Sequence, residues 1–157
     1  MSSPPAPAAP RWPLILLRVT TTTVTLLALL QVVLAGSFLN GTYDALRAHA
    51  DTATVLATAL LVQLLSAVLL RWPGRGPQWP LWGTAGLVGA VVGQIVSGQE
   101  RAVGLHVVLG VLTVSGVLFA LVGVWRLPLP VPEARLPADA EGPGMLPRPG
   151  GPVEVAR

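Results

Sequence analysis

The chain has 157 residues, of which 52% are hydrophobic and 11% charged, with a mean hydropathy of +0.67. That balance excludes a water-soluble domain, and the length allows about four spans of some 20 residues plus tails, with no room for a separate soluble enzyme domain. Zero cysteines exclude disulfides, thiolate zinc sites, iron–sulfur clusters and a cysteine nucleophile, while the net charge of +3 comes without the aromatic-interleaved basic stripe of a nucleic-acid binder.

In chain order, residues 1–13 carry five prolines and read as a disordered tail. The first span, 14–36, contains one charge, Arg18, near its start. It ends in Val33-Leu34-Ala35, which resembles a signal-peptidase site, but the apolar run is longer than a typical signal core. Spans over 49–71, 80–99 and 102–126 follow, with the cores of all three free of Asp, Glu, Lys and Arg. Residues 127–157 carry eight prolines and read as a second disordered tail, in which the Pro-x-Pro spacing of 127–132 is either a docking segment or simply solvated. Backbone amides in lipid must be paired within their own segment, so the spans are helices. Short connections make sequential neighbours antiparallel, and the expected fold is an all-α bundle of four transmembrane helices.

Arginines near the membrane fall at 11, 18, 71, 75, 126 and 135 on one side and at 47 and 101 on the other, which predicts cytoplasmic termini and a multi-pass cell-membrane protein. Trp12, Trp72, Trp79, Trp82 and Trp125 cluster at the same boundary as interfacial anchors.

The spans also repeat. Gln31-Val32-Val33-Leu34-Ala35-Gly36 ends the first and Gln94-Ile95-Val96-Ser97-Gly98 the third, and each is followed by a histidine at the head of the next helix, His49 and His106. The bundle is therefore read as two repeated helical hairpins, 14–72 and 80–126. His49 lies about 33 Å above Arg71 and His106 about 30 Å above Arg126 at 1.5 Å per residue, so the two stand at one level on parallel helices. Gln31 and Gln94, counted from Arg18 and Trp79, form a second matched layer about 20 and 22 Å up.

Two imidazoles from facing helices can fill both axial positions of one heme, which favours electron transfer over oxygen chemistry. Ala53 and Gly110, each four residues after a histidine, leave space on the same face, and Gly89, Gly93 and Ser97 form a small-residue stripe on the third helix. Arg47 and Arg101 sit outside the histidines, placed to receive heme propionates. Each feature has a plainer alternative. The histidines can be interfacial, the stripe can serve helix packing, the glutamines can bond between helices, and the arginines can pair with Asp44, Asp51 or Glu100 or anchor lipid headgroups. Thr20 to Thr23 are expected to bond back to their own helix.

Four helices with a histidine heading the second and another heading the fourth, each preceded by a Gln-x-x-x-Gly-type helix end, resemble one half of the heme A synthase family, whose eight-helix members consist of two such units. The resemblance spans residues 14–126 and is carried most by Gln94-Ile95-Val96-Ser97-Gly98 followed by Gly104-Leu105-His106-Val107-Val108-Leu109-Gly110. It implies heme held by His49 and His106. Members that oxidise the heme methyl carry a glutamate three residues before the second-helix histidine, where this chain has Leu46, and many carry a cysteine pair in the first outer loop, where it has none. The resemblance leaves open whether the chain is an enzyme. It implies a half-unit holding one heme b, for electron transfer or heme handling, alone or assembled with a second copy or another subunit. The alternative is a cofactor-free four-helix scaffold or accessory subunit. A transporter ranks third, because no Asp, Glu, Lys or Arg lies in the middle of the membrane.

Overall fold

The computed structural model describes residues 9–130. They form four helices, α1 (Trp12–Leu39), α2 (Asp44–Arg71), α3 (Trp79–Gln99) and α4 (Val103–Arg126), all long and apolar enough to cross a membrane. No strand occurs among the described residues. Each helix packs on the next and α4 closes back on α1, while the diagonal pairs α1/α3 and α2/α4 make no backbone contact. The chain is thus a four-helix transmembrane bundle with a square cross-section and both ends of the described chain at one face. Large apolar side chains such as Leu26, Leu61, Val92 and Phe119 point outward, as a lipid solvent requires.

α1 and α3 both open on Trp-Pro, with the proline where its missing N–H is not needed. The helices run beyond the apolar spans. α1 includes Trp12 and Pro13 from the expected tail and continues to Leu39; α2 begins at Asp44, so His49 lies inside the helix rather than at its head. The reason is physical: hydropathy marks where the chain tolerates lipid, whereas Asp44, Arg47 and Asp51, interspersed with alanines, extend the helix into the polar interface. The tails expected to be disordered lie mostly outside the described residues. Of the tails, residues 9–11 and 127–130 are described, and 127–130 is tied to the start of the chain: Arg11 Nε donates to the Pro130 carbonyl (2.6 Å) and Arg18 Nη2 of α1 to the Leu127 carbonyl (2.6 Å).

Both hairpins close with the same Schellman turn. Gly41 N–H donates to Phe38 O and Thr42 N–H to Ser37 O; Arg101 N–H donates to Gly98 O and Ala102 N–H to Ser97 O. The left-handed position is filled by Gly41 (φ +92°) in the first and by Arg101 (φ +56°) in the second. From the turn residue to the histidine is eight residues in the first hairpin and five in the second, and from glutamine to turn the excess is again three. The first hairpin therefore projects about 4.5 Å, nearly one turn, further beyond the histidine layer.

The interior is apolar at two levels, around Leu60, Val24 and Val117 and around Leu17, Ala67 and Val124. Polar side chains lie between the helices as well. Gln63, 1% exposed, donates through Nε2 to Thr84 Oγ1 at 3.1 Å and joins α2 to α3. Thr21, 63 positions before Thr84, occupies the matching place on α1, also buried. Thr20, Thr22 and Thr23 bond back to carbonyls of their own helix as expected, and Thr25 does the same. Thr21 departs from that expectation, because its hydroxyl faces the core and has no hydrogen-bond partner among the described residues.

An L-residue in the left-handed region costs about 1 kcal/mol relative to glycine. Gly41→Ala is accordingly expected to destabilise the bundle by about 1 kcal/mol and Arg101→Gly to stabilise it by a similar amount, both read from thermal melts in detergent.

Candidate functional site

His49 comes from α2 and His106 from α4, the diagonal pair whose backbones make no contact. Their ring centroids are 6.1 Å apart with the planes at 61°. The two imidazoles therefore meet across the centre of the bundle, three residues or more inside the helix ends. Both are partly buried.

Each ring is held by the other leg of its own hairpin. His49 Nδ1 is 3.2 Å from the main-chain oxygen of Gln31 on α1, and His106 Nδ1 is 2.9 Å from that of Gln94 on α3. A carbonyl only accepts, so in both rings Nδ1 carries the proton and donates, leaving Nε2 as the lone-pair nitrogen. Neither Nε2 is hydrogen-bonded among the described residues. This carbonyl-held tautomer is the arrangement by which proteins orient metal-binding histidines.

The glutamines thus belong to the histidine layer, not to a separate layer below it. Gln31 lies higher than counting from Arg18 predicts, because Arg18 sits six residues inside α1; Gln94 lies higher than counting from Trp79 predicts, because Trp79 packs beside Gly123 rather than beside Arg126. Their side chains differ. Gln31 Nε2 donates to Thr52 Oγ1 (2.7 Å) and to the His49 carbonyl (3.2 Å), fixing the backbone that carries the ring. In the second hairpin Leu109 stands where Thr52 stands in the first, three residues after the histidine, and Gln94 instead lays its amide over Gly110, with Oε1 buried and without a hydrogen-bond partner among the described residues. A Cβ on Gly110 would come within 2.8 Å of Gln94 Nε2, so the space beside this glycine is filled by the amide.

Ser97, buried and 3.5 Å from His106 Nδ1, donates its hydroxyl at 3.0 Å to the same Gln94 carbonyl. The sequence pattern offers Ser97 only as a small residue. Gly98 packs against the His106 ring, where a Cβ would approach Nδ1 to 3.2 Å, and Gly93 approaches Leu109. A Cβ on Gly89 would meet nothing within 4 Å, and this glycine faces outward, so the stripe is divided between packing and lipid. Ala53 is partly buried on the His49 helix. Arg47 and Arg101 are exposed at the rim, and among the described residues neither forms an ion pair with Asp44, Asp51 or Glu100.

No group of three or more metal-binding side chains occurs among the described residues. The donor set is a pair, too few for a bare ion but the number that a porphyrin, which brings four nitrogens of its own, requires. Two imidazoles holding one ion between them would have centroids about 6 Å apart, from bonds of about 2 Å and about 1 Å from each nitrogen to its ring centre. The 6.1 Å separation of the two rings meets that distance. No family model, curated protein or solved structure matches the chain.

Gly36 and Gly98 lie in the last turns of the two glutamine helices but differ in surroundings: a Cβ on Gly36 meets nothing within 4 Å. Gly36→Ala should stabilise α1 by about 0.5–1 kcal/mol. Gly98→Ala should lose that gain to the His106 ring, and equal melting shifts for the two variants would contradict the packing described.

Proposed function

We propose that the protein is an integral membrane b-type heme protein in which His49 and His106 are the two axial ligands, for electron transfer or heme handling. The observation that carries this reading is the matched pair of carbonyl-held imidazoles whose centroids lie 6.1 Å apart across the bundle diagonal. A heme held there supplies one-electron redox chemistry. The chain's own part is to hold each imidazole through Nδ1 on the Gln31 and Gln94 carbonyls, which leaves Nε2 as the nitrogen available to iron, above an apolar layer around Leu60 and Val117 that lies about 16 Å deeper in the bundle. Arg47 and Arg101, exposed at the rim beyond the histidines, are the cations available to propionates.

The arginine distribution supports cytoplasmic termini in the cell membrane, which puts the histidine layer toward the extracytoplasmic face. Leu46 in place of the glutamate and the absence of cysteines argue against heme-methyl oxidation. A cofactor-free scaffold is the second reading, favoured by Gly86 and Gly89, whose open positions on the outer face of α3 suit a partner helix.

Absorption spectra separate the two. Protein purified in mild detergent from heme-replete cells should show a Soret band with sharp α and β bands on reduction, lost in His49→Ala and in His106→Ala. A colourless preparation favours the scaffold. Ser97→Ala is expected to lower the midpoint potential, because the Gln94 carbonyl, freed of one donor, accepts more strongly from His106 Nδ1–H and makes the ring a better electron donor. An unchanged or higher potential would contradict that link.

A further inference from the structure

The two ends of the bundle differ in charge. At the end that carries both termini the described residues hold Arg11, Arg18, Arg71, Arg75 and Arg126 and no Asp or Glu; Asp44, Asp51 and Glu100 all lie at the other end. Arg18 is the unusual member. It sits six residues into α1, about 9 Å from the helix start, and is partly buried. Nη2 donates to the carbonyls of Trp125 (3.3 Å) and Leu127 (2.6 Å), and the guanidinium lies 5.1 Å from the centre of the Trp125 ring. These contacts cap α4 and offset part of the charge. Among the described residues Nε is buried without a hydrogen-bond partner and no carboxylate neutralises the group.

On Trp125, which this cation also touches, a shallow and widely open groove of about 500 Å³ lies between α1 and α4, lined by Thr22, Leu121, Val122, Trp125 and Arg126. Its floor is tied by Trp125 Nε1 donating to Thr22 Oγ1 at 3.3 Å. The walls are apolar along the membrane direction and the rim carries an exposed arginine. A shallow apolar groove continuous with a cationic, tryptophan-marked rim matches a molecule that joins an acyl chain to an anionic phosphate. We propose that this groove binds an anionic phospholipid, its chain against Leu121 and Val122 and its phosphate on Arg126, close enough to Arg18 to offset the part of that charge which the carbonyls and Trp125 leave uncompensated.

The test uses the full chain released from micelles containing equal phosphatidylglycerol and phosphatidylcholine, with bound lipid read by native mass spectrometry. One phosphatidylglycerol should remain bound in preference to phosphatidylcholine. Arg126→Gln should reduce that preference about fivefold, the weight of one basic residue at an anionic surface. Val122→Trp, which fills the groove without altering charge, should reduce it at least as much. Both positions are exposed, so the fold should survive, and unchanged circular dichroism checks this. Arg101→Gln at the opposite end should leave it unaltered. Equal retention of the two lipids overturns the proposal, as does a preference that survives Val122→Trp or is abolished by inorganic phosphate alone. A preference that emerges only when Glu133, Asp139 and Glu141 are replaced by their amides also overturns it, by making the chain's own acidic segment the occupant.

Discussion

Within each hairpin a single hydrogen bond, from histidine Nδ1 to the main-chain carbonyl of a glutamine on the opposite leg, fixes where the imidazole stands and which nitrogen it presents. In a lipid-facing bundle there is little hydrophobic drive to orient an interior polar ring, so such bonds decide its direction. Because the acceptor is backbone, it cannot be lost by substitution of the glutamine itself. The side chain of Gln31 adds a second constraint on the His49 main chain and on Thr52, whereas the second hairpin relies on Ser97 and on close packing by Gly98. Two solutions to one positioning problem thus meet across a diagonal that the helices leave empty of backbone contact.

The repeat explains why the site is symmetric in its rings and asymmetric around them. Both hairpins close with one turn geometry, but the first has three more residues on each leg, so its histidine lies deeper below its turn. The shared level of the rings survives because the excess falls outside the layer. Below it, Thr21 and Thr84 keep the repeat, while Gln63 donates to Thr84; α4 has Ala120 at the position corresponding to Gln63.

Much of this is legible in the sequence for a simple reason: apolar run length and the rarity of histidine are strong signals. Four spans and the pairing of His49 with His106 follow from counting residues at 1.5 Å each. The true start of α2 at Asp44 does not follow, because an interfacial helical turn with charged residues has the hydropathy of a loop. Nor does the hydrogen-bonded contact of glutamine with histidine, since depth counted from Arg18 assumes an interfacial anchor, and Arg18 instead reaches across to α4. Ser97 and Thr52 carry their roles through rotamer and carbonyl geometry, which residue identity alone does not encode. Thr52 at three residues after His49 is the one available hint, a neighbour on the same helical face.

The proposed centre takes both of its ligands from one chain, which makes it a matter of stoichiometry as much as of colour. Heme released as its pyridine complex and quantified against polypeptide by amino-acid analysis tests this most directly. One heme per chain is the predicted result. A ratio near one half, with a histidine from each of two chains, or no heme at all, would contradict it.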